Sequence, residues 1–256
     1  MRWMNGFGGE ARGIVVLIAA LGLGLAAVAP GARAQAGVEK GVETGVETGS
    51  DATPAERGEK DAKDGKGEAG EAARSPRDVV EDLQGALLEA MKGGEEMGYE
   101  GRYGLIEPVV DKTHSTSSLA RLVLGQHWEG LDGSQRERFV KALERLTTSA
   151  YAARFHKFKG ESFAVNETRE VRENVVYVRT TLTKSDGDEV SLDYVLREFE
   201  KGWRIVNIVA NGVSEVSVKR AEYDAIIGKE GFEALLGEIE AQIEKYEAGE
   251  DRDLPG

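Results

Sequence analysis

Residues 176–209, VYVRTTLTKSDGDEVSLDYVLREFEKGWRIVNIV, decide the fold of this chain. Apolar side chains recur at every second position in three runs, which the turn sequences Ser185-Asp186-Gly187 and Glu200-Lys201-Gly202 separate. A period of two is the pattern of half-buried β-strands, and connections this short join antiparallel neighbours. The stretch therefore predicts three strands of an antiparallel meander. Phe163 and Val165 predict a further strand before them.

The last predicted strand differs from the others because it is apolar on both faces. Strict alternation places Trp203, Ile205 and Val209 on one side, and Val206 and Ile208 on the other. An antiparallel strand with one face in water alternates more cleanly than this. We therefore expect either that helices cover both sides, or that one side is an interface or the wall of a cavity.

Helical periodicity brackets the predicted strands on both sides. Ser75-Pro76 supplies a capping hydroxyl and a first-turn proline, and the apolar pattern that follows ends at Gly93-Gly94. A second helix is predicted over residues 99–111, and Pro108 is expected to limit or kink it. Two more helices are predicted before the strands, over residues 117–128 and 134–155. Two are predicted after the strands, over about 217–228 and 230–247.

The order of these elements predicts the class of fold. Ser134-Gln135-Arg136-Glu137 has the form of a capping box, which predicts Ser134 as the N-cap of the 134–155 helix. Helices, four strands and then helices indicate an α+β domain. In such a domain the helices cover one face of a curved antiparallel sheet.

The amino-terminal segment has the layout of a secretory signal peptide. Arg2 and Arg12 flank a charge-poor start, an apolar run follows from Ile14 to Ala29, and Ala32-Arg33-Ala34 supplies small residues two apart. This layout predicts export and cleavage after Ala34. A retained membrane anchor is the alternative. However, the run has 16 residues, whereas a membrane span needs about 20, so cleavage is favoured.

Residues 35–74 lack the composition of a folded segment. A Gly-Val-Glu tetrad occurs three times over residues 37–48, and the rest has no aromatic residue and almost no branched aliphatic one. Such a stretch cannot bury enough apolar surface to offset the entropy lost on ordering. We therefore predict a disordered acidic, glycine-rich linker, either a tether or a segment under weak constraint. The ordered domain is predicted over residues 75–248, with a tail over 249–256.

The composition of the chain excludes several classes of function. The sequence has 33 Lys and Arg against 46 Asp and Glu, a formal net charge of −13, whereas nucleic-acid binding needs a basic surface. The same charge disfavours tight binding to anionic membrane surfaces. The sequence has no cysteine, which excludes disulfides, zinc–thiolate sites, cysteine nucleophiles and a lipoprotein anchor at the cleavage site.

The polar residues of the predicted domain show no catalytic or metal-binding pattern. The histidines, His114, His127 and His156, form no i, i+4 pair and no His-Glu-x-x-His motif. We interpret His127 as an exposed helix-end residue. Asp193 lies out of phase with the apolar face of its strand, and Glu198 lies near the end of that strand; we interpret both as charges on the solvent side. No catalytic residue, metal or cofactor is therefore expected.

Large apolar side chains either fill the core of the domain or surround a cavity. A helical layer on a curved sheet often leaves a concave space, and apolar clefts are the usual sites of small ligands. Burying an acyl chain of ~16 carbons at ~0.8 kcal/mol per methylene contributes ~12 kcal/mol gross. Such binding needs no specific polar chemistry, which fits a chain without a catalytic pattern.

Three segments of the predicted domain share an order and a spacing with a known family. They are LARLVLGQHW at 119–128, SQRERF at 134–139, and GWRIVN at 202–207 running into NGVS at 211–214. After a signal peptide, this set resembles the toluene-tolerance (Mla-type) family of periplasmic lipid carriers. The closing stretches VKRAEY at 218–223 and GFEAL at 231–235 are similar to its hopanoid-associated branch.

This resemblance covers about residues 75–245 and implies both a fold and a function. The fold would be a nuclear-transport-factor-2-like α+β cone with a deep apolar cavity for lipid tails. The function would be that of a soluble periplasmic shuttle, not an enzyme, that carries phospholipid or a hopanoid. Its partners would be an inner-membrane ABC-type lipid transporter and an outer-membrane lipoprotein complex. Asn207 stands where the family often carries an acid, and the 35–74 linker lies outside the family pattern.

The apolar phases of the facing elements predict which residues contact the lipid. The sheet would form one wall of the cavity and the 134–155 helix the other, with the headgroup near the mouth. The predicted lipid-binding residues are Val123, Trp128, Phe139, Leu143, Tyr151, Val176, Val178, Leu192, Tyr194, Leu196, Trp203 and Ile205.

Two other functions are open at this point. An enzyme on the same scaffold, such as an isomerase or a dehydratase, rests on analogy of fold alone. A buried carboxylate or histidine with a raised pKa inside the cavity would favour it. A ligand-free adaptor that docks through the last strand is the third hypothesis, and an empty, well-packed core would favour that one.

Overall fold

Helices precede and follow a single sheet, in the order that the sequence predicts. The computed structural model describes residues 74–250. The predicted signal peptide at 1–34, the predicted linker up to residue 73 and the tail from residue 251 lie outside the described residues. The helices are α1 (Pro76–Thr113), α2 (Thr116–Leu124), α3 (His127–Gly130), α4 (Gly133–Arg154), α5 (Glu215–Glu230) and α6 (Phe232–Ala248).

The sheet is an antiparallel meander in which each strand pairs with the next along the chain. The four predicted strands are present, and the α+β class is confirmed. The two-residue fifth strand is too short to leave a periodic pattern in the sequence. The strands are β1 (Ser162–Arg172), β2 (Val175–Thr183), β3 (Glu189–Phe199), β4 (Gly202–Ala210) and β5 (Val213–Ser214).

A β-bulge in β4 explains why this strand is apolar on both faces. Val195 pairs with Asn207 and Leu196 pairs with Ile205, so Val206 is an extra residue between them. The extra residue shifts the alternation by one position, and Ile205 and Ile208 consequently enter the same core cluster. The prediction that Ile208 faces away from Ile205 is therefore wrong.

Helix α1 consists of two helical segments joined at a kink. Gly94 (φ 50°) and Gly98 (φ 66°) depart from helical geometry, in a region of φ that glycine adopts at little cost. The buried Arg102 side chain donates to the Gly94 carbonyl at 2.7 Å, which satisfies an acceptor near the break. The predicted stop at Gly93-Gly94 is near this kink. The second segment runs through Pro108 to Thr113, so Pro108 does not end it.

The predicted 117–128 helix is divided at Gly125. Its φ of 52° ends α2, and the short helix α3 begins two residues later. The Arg220 side chain donates to the Leu122 carbonyl at 2.7 Å, in the last turn of α2. This bond fixes the end of α2 against α5. Apolar periodicity continues across the break, which is why the pattern alone indicated one helix.

Two apolar cores divide the domain. One core packs α1 against the inner face of the sheet and includes Leu83, Leu87, Val178 and Leu196. The other lies among α2, α4, α5 and α6 and includes Phe139, around which Tyr223 and Phe232 pack at ring-centroid distances of 6.0 and 6.3 Å. The end of β4 and the start of α5 lie where these two cores meet.

The start of α4 differs by two residues from the prediction. The N-cap is Asp132, whose side chain accepts from the Gln135 backbone N–H at 2.8 Å, while Gln135 Oε1 accepts from the Asp132 backbone N–H at 3.0 Å. Ser134 is inside the helix and is exposed. Both sets of residues have capping-box chemistry, so the sequence did not decide between them.

Asp132→Ala is expected to lower the free energy of unfolding by about 1 kcal/mol, because it removes the acceptor for the first turn of α4. Ser134→Ala is the matched control, and it is expected to change the stability by less than about 0.5 kcal/mol. Urea unfolding followed by circular dichroism measures both variants. A larger loss from Ser134→Ala than from Asp132→Ala would show that Ser134 is the cap.

Candidate functional site

A mostly apolar cavity of about 50 Å³ lies where β4 meets the helices. It has walls from the end of α1, from α2, α4 and α5, and from β4. Leu119, Val123, Leu143, Tyr151, Ile205, Ile208 and Val216 supply most of the surface, and His114, Thr147, Glu215 and Lys219 supply polar atoms. Both walls that the sequence predicted, the sheet and α4, contribute to it.

The cavity is much smaller than a lipid site. Pockets for small ligands measure about 300–1,000 Å³. The protein's own side chains fill most of the space between the sheet and the helices, because the side chains of β2 and β3 pack directly against α1. An acyl chain therefore requires that this region open further.

The structure distributes the predicted lipid-binding residues over three environments. Val123, Leu143, Tyr151 and Ile205 line the cavity. Trp128 lines a groove on the outer side of the sheet. The others pack in the two cores: Phe139, Val176, Val178, Leu192, Tyr194, Leu196 and, partly buried, Trp203. Contact of these residues with lipid stays a prediction.

His114 is the buried histidine of the cavity, and its hydrogen bonds fix its tautomer. Thr113 Oγ1 donates its proton to the Val109 carbonyl at 2.7 Å. The same oxygen lies 3.0 Å from His114 Nδ1 and therefore accepts a hydrogen bond from it. Nδ1 therefore carries the proton. His114 Nε2 then accepts from the Tyr151 hydroxyl at 3.4 Å. Burial lowers the pKa of His114 to about 4, so the ring is neutral at physiological pH.

Glu215 and Lys219 bring ionisable groups to the same cavity from α5. Burial raises the pKa of Glu215 to about 8, although Lys219 and Arg154 oppose this shift. Within the described residues, Glu215 Oε2 is buried and has no hydrogen-bond partner. Burial lowers the pKa of Lys219, whose Nζ donates to Glu222 Oε2 at 2.6 Å. The carboxyl group of Glu215 is therefore largely protonated at neutral pH.

Sequence reasoning missed the role of α5 in the cavity. Glu215, Lys219 and Glu222 are four and three residues apart, which places them on one side of a helix. That spacing was visible, but charged residues near a helix start are usually solvated. Only their position against β4 and α4 shows that two of them face an apolar space.

Two other polar residues depart from their predicted environments. Asp193 lies on the outer face of β3 as predicted, but it is 5% exposed, because Tyr177 and Arg179 cover it and hydrogen-bond to its carboxylate. The prediction of a solvent-side charge is wrong for Asp193 and correct for Glu198, which is exposed. His127 is half-buried, and its Nε2 lies 2.7 Å from Asp224 Oδ1, so its ring joins α3 to α5.

A wide groove of about 590 Å³ lies on the outer face of the sheet, between its strands and helices α2, α3 and α5. Its apolar floor contains Leu122, Trp128, Val175, Val195 and Val206. The bulge residue Val206 thus faces the groove, while Ile205 and Ile208 face the cavity. Val216 lines both spaces, so its side chain separates the cavity from the groove.

The Asn207 side chain forms hydrogen bonds with Ser214 and Val216, at the boundary between the cavity and the groove. Its Oδ1 accepts from the Val216 backbone N–H at 3.3 Å, and its Nδ2 donates to Ser214 Oγ at 3.0 Å. These bonds fix the first turn of α5 to β4. A carboxylate at position 207 would accept the same Val216 bond, so the amide keeps a positional role that an acid could also perform.

Residues 74–250 contain neither a metal-binding cluster nor a membrane-spanning helix. Over that range, no three His, Asp or Glu side chains are grouped closely enough to hold a metal ion. None of the helices there has the length and apolar character needed to cross a bilayer.

Comparison with known proteins identifies relatives of the chain. The sequence profile of the MlaC protein family matches residues 81–241. The intermembrane phospholipid transport system binding protein MlaC of Haemophilus influenzae is 23% identical over 124 residues, which are 46% of this chain and 57% of that protein. The chain thus spans little more than half the length of this relative.

A solved structure has the same fold. The phospholipid-binding protein of Ralstonia solanacearum, determined in complex with a phospholipid, superposes with a TM-score of 0.61. The match covers 68% of this chain and 99% of that chain, at 17% sequence identity. At this identity the likeness establishes the fold.

The raised pKa of Glu215 predicts that stability falls as the pH rises. Glu215 has an ordinary pKa of 4.5 in the unfolded chain and a pKa of about 8 in the folded chain. Between these two pH values the folded chain keeps a proton that the unfolded chain releases. The contribution of Glu215 to the free energy of unfolding should therefore decrease across this window by at most about 1.4 kcal/mol per pH unit. Glu215→Gln should flatten the slope, whereas Glu238→Gln, at an exposed position of α6, should not. Urea unfolding from about pH 5 to about pH 9 measures it; equal slopes for wild type and Glu215→Gln would contradict the assignment.

The lowered pKa of His114 predicts the opposite dependence at acidic pH. The unfolded chain takes up a proton below 6.5 that the folded chain refuses until about pH 4. Stability should therefore decrease as the pH falls through this window. The C2–H resonance of His114, followed by NMR during acid titration, checks this directly. A midpoint near 6.5 in the folded protein would contradict it.

Proposed function

Because this chain belongs to the MlaC protein family, we propose that it is a carrier that binds a phospholipid and transports it between membranes. One observation carries the proposal: a largely apolar cavity and a ligand-sized groove with an apolar floor lie on either side of Val216. The acyl chains would occupy the cavity, and the headgroup would stay in the groove, next to water. The phospholipid named for the relatives in Haemophilus and Ralstonia supports this ligand class.

Loading requires the cavity to widen. Its 50 Å³ is far below the volume of an acyl chain, so the start of α5 must move away from β4. The hydrogen bonds from Asn207 to Ser214 and to Val216 are the polar contacts that such a movement would break. Burying ~16 methylenes contributes ~12 kcal/mol gross, against which the loss of these bonds, at ~1 kcal/mol each, is small.

The route of the carrier follows from the same proposal. The signal peptide at 1–34 would direct the chain to the periplasm, and the linker at 35–74 would precede the folded domain at 75–248. The carrier would exchange lipid with an inner-membrane ABC-type transporter and an outer-membrane lipoprotein complex. A hopanoid is the second ligand that the sequence of α5 and α6 suggests.

A second candidate is an enzyme on the same scaffold, which the pKa of Glu215 favours. A protonated carboxyl and a neutral histidine that line the same apolar cavity are groups that acid–base catalysis uses. The cavity is too small for a substrate, however, and Lys219 and Arg154 stabilise the charged form of Glu215. Catalysis would therefore need the same widening as lipid binding.

The ligand-free adaptor makes a different prediction about the purified protein. Its tightly packed interior would hold no lipid, and the small volume of the cavity is consistent with that. The carrier and the adaptor therefore differ in whether lipid accompanies the chain from the cell.

Organic extraction of the purified chain, followed by mass spectrometry, is expected to recover phospholipid at a stoichiometry near one lipid per chain. Extraction after urea unfolding and buffer exchange is the control, because loss of the fold should release the lipid. Repeated recovery of no lipid, from protein purified without detergent, would contradict the carrier and favour the adaptor. Recovery of a hopanoid alone would support the carrier function but would show that its ligand is a hopanoid and not a phospholipid.

Val216→Trp is expected to reduce uptake of fluorescent phospholipid from vesicles by ~10-fold or more, because the indole would fill the passage between groove and cavity. Val218→Trp is the matched control, since Val218 is 42% exposed on the same helix and should leave uptake unchanged. Urea unfolding of both variants separates blockage from misfolding. Uptake by folded Val216→Trp at the wild-type rate would show that lipid does not pass this residue.

A further inference from the structure

Three arginines surround the outer groove. Arg172 and Arg197 come from the sheet, and Arg121 comes from α2. In the strand register Val175 pairs with Arg172 on one side and with Arg197 on the other, so these two arginines flank the same apolar residue of the floor. The Arg121 guanidinium lies 5.7 Å from the centre of the Trp128 ring, which also lines the groove.

Several arginines elsewhere in the described domain have acidic partners. Arg138 pairs with Glu233, Arg145 with Glu240, and Arg179 with Asp193 and Glu167. Among the described residues, by contrast, no carboxylate forms an ion pair with Arg121, Arg172 or Arg197. Arg169, Arg204 and Arg220 also form no ion pair among the described residues. What distinguishes Arg121, Arg172 and Arg197 is that all three line the same groove.

The remaining lining of the groove also suits an anion. The described residues that line it include no Asp or Glu, whereas Ser117, Ser118, Ser214 and Ser217 add hydroxyl groups. Guanidinium groups and hydroxyls are the side chains that bind phosphate oxygens, and the planar guanidinium can do so through two parallel bonds. The groove therefore combines an apolar floor with a cationic rim.

We propose that Arg121, Arg172 and Arg197 form a binding site for the phosphate group of the lipid. This site rests on the proposed carrier function and adds a determinant of ligand choice to it. The position of Val216 connects the two parts, because a lipid whose chains pass Val216 into the cavity leaves its phosphate in the groove. The site therefore selects anionic phospholipids over neutral lipids with the same chains.

An acidic surface of a partner protein is the other anion that three arginines would attract. The lipid phosphate is favoured because the floor between the arginines is apolar and adjoins the cavity, as an amphiphilic molecule requires. A protein partner would need no passage at Val216.

The test compares phosphatidic acid with diacylglycerol of identical fluorescent acyl chains, which differ only in the phosphate. Both are offered in neutral vesicles to the full chain and to Arg172→Gln/Arg197→Gln. The control Arg138→Gln/Arg145→Gln has the same change of net charge, and its exposed ion pairs contribute little stability. We expect the groove variant to take up phosphatidic acid ~10-fold less well, with unchanged uptake of diacylglycerol. Added salt should reduce the preference of the wild type.

Each other outcome has a defined meaning. Equal losses for both lipids, or a loss of phosphatidic acid uptake in the control variant as well, would overturn the phosphate site. Unchanged uptake of phosphatidic acid by the groove variant would also overturn it and favour a protein partner for the arginines. If the wild type takes up neither lipid, the carrier function fails. In that case the ³¹P resonance of inorganic phosphate tests the arginine site separately. Line broadening by the wild type but not by the groove variant would support an anion site without lipid transport. No broadening by either protein would overturn the phosphate site as well as the carrier function.

Discussion

The β-bulge at Val206 is the constraint on which the arrangement of the candidate site depends. One strand has to present apolar side chains to the cavity on its inner side and to the groove on its outer side. The extra residue achieves this by placing Ile205 and Ile208 inside and Val206 outside. Asn207 follows the bulge directly and fixes the first turn of α5, so the position of Val216 is determined by the same irregularity.

Ionisable groups inside an otherwise apolar cavity are costly, and their surroundings show how the cost is reduced. Glu215 gains a proton, His114 loses its charge, and Lys219 keeps a hydrogen bond to Glu222. Glu215 and Lys219 belong to α5, whose start must move away from β4 in the proposed carrier. The wall that would move in the proposed carrier therefore carries two of the three ionisable groups of the cavity.

The sequence predicted the order of elements well because each element has a clear period and a clear terminator. Ser75-Pro76 and Gly93-Gly94 mark the first segment of α1, and alternation defines β2 and β3. It failed where two local signals compete, as for Asp132 and Ser134, and where one residue changes the phase, as at Val206. The site was only partly predictable for the same reason. Val123, Leu143 and Tyr151 follow from helical phase, whereas Glu215 and Lys219 reach the cavity through the placement of α5, which no local pattern encodes.

Two guanidinium groups lie over the Trp128 ring, that of Arg121 at 5.7 Å and that of Arg136 at 5.3 Å from its centre. Its indole nitrogen is buried and lacks a hydrogen-bond acceptor among the described residues. Of the three tryptophans in the sequence, Trp128 and Trp203 are the two that lie among the described residues. Because indole emission responds to neighbouring charge and polarity, the protein contains a built-in optical reporter on the wall of its groove.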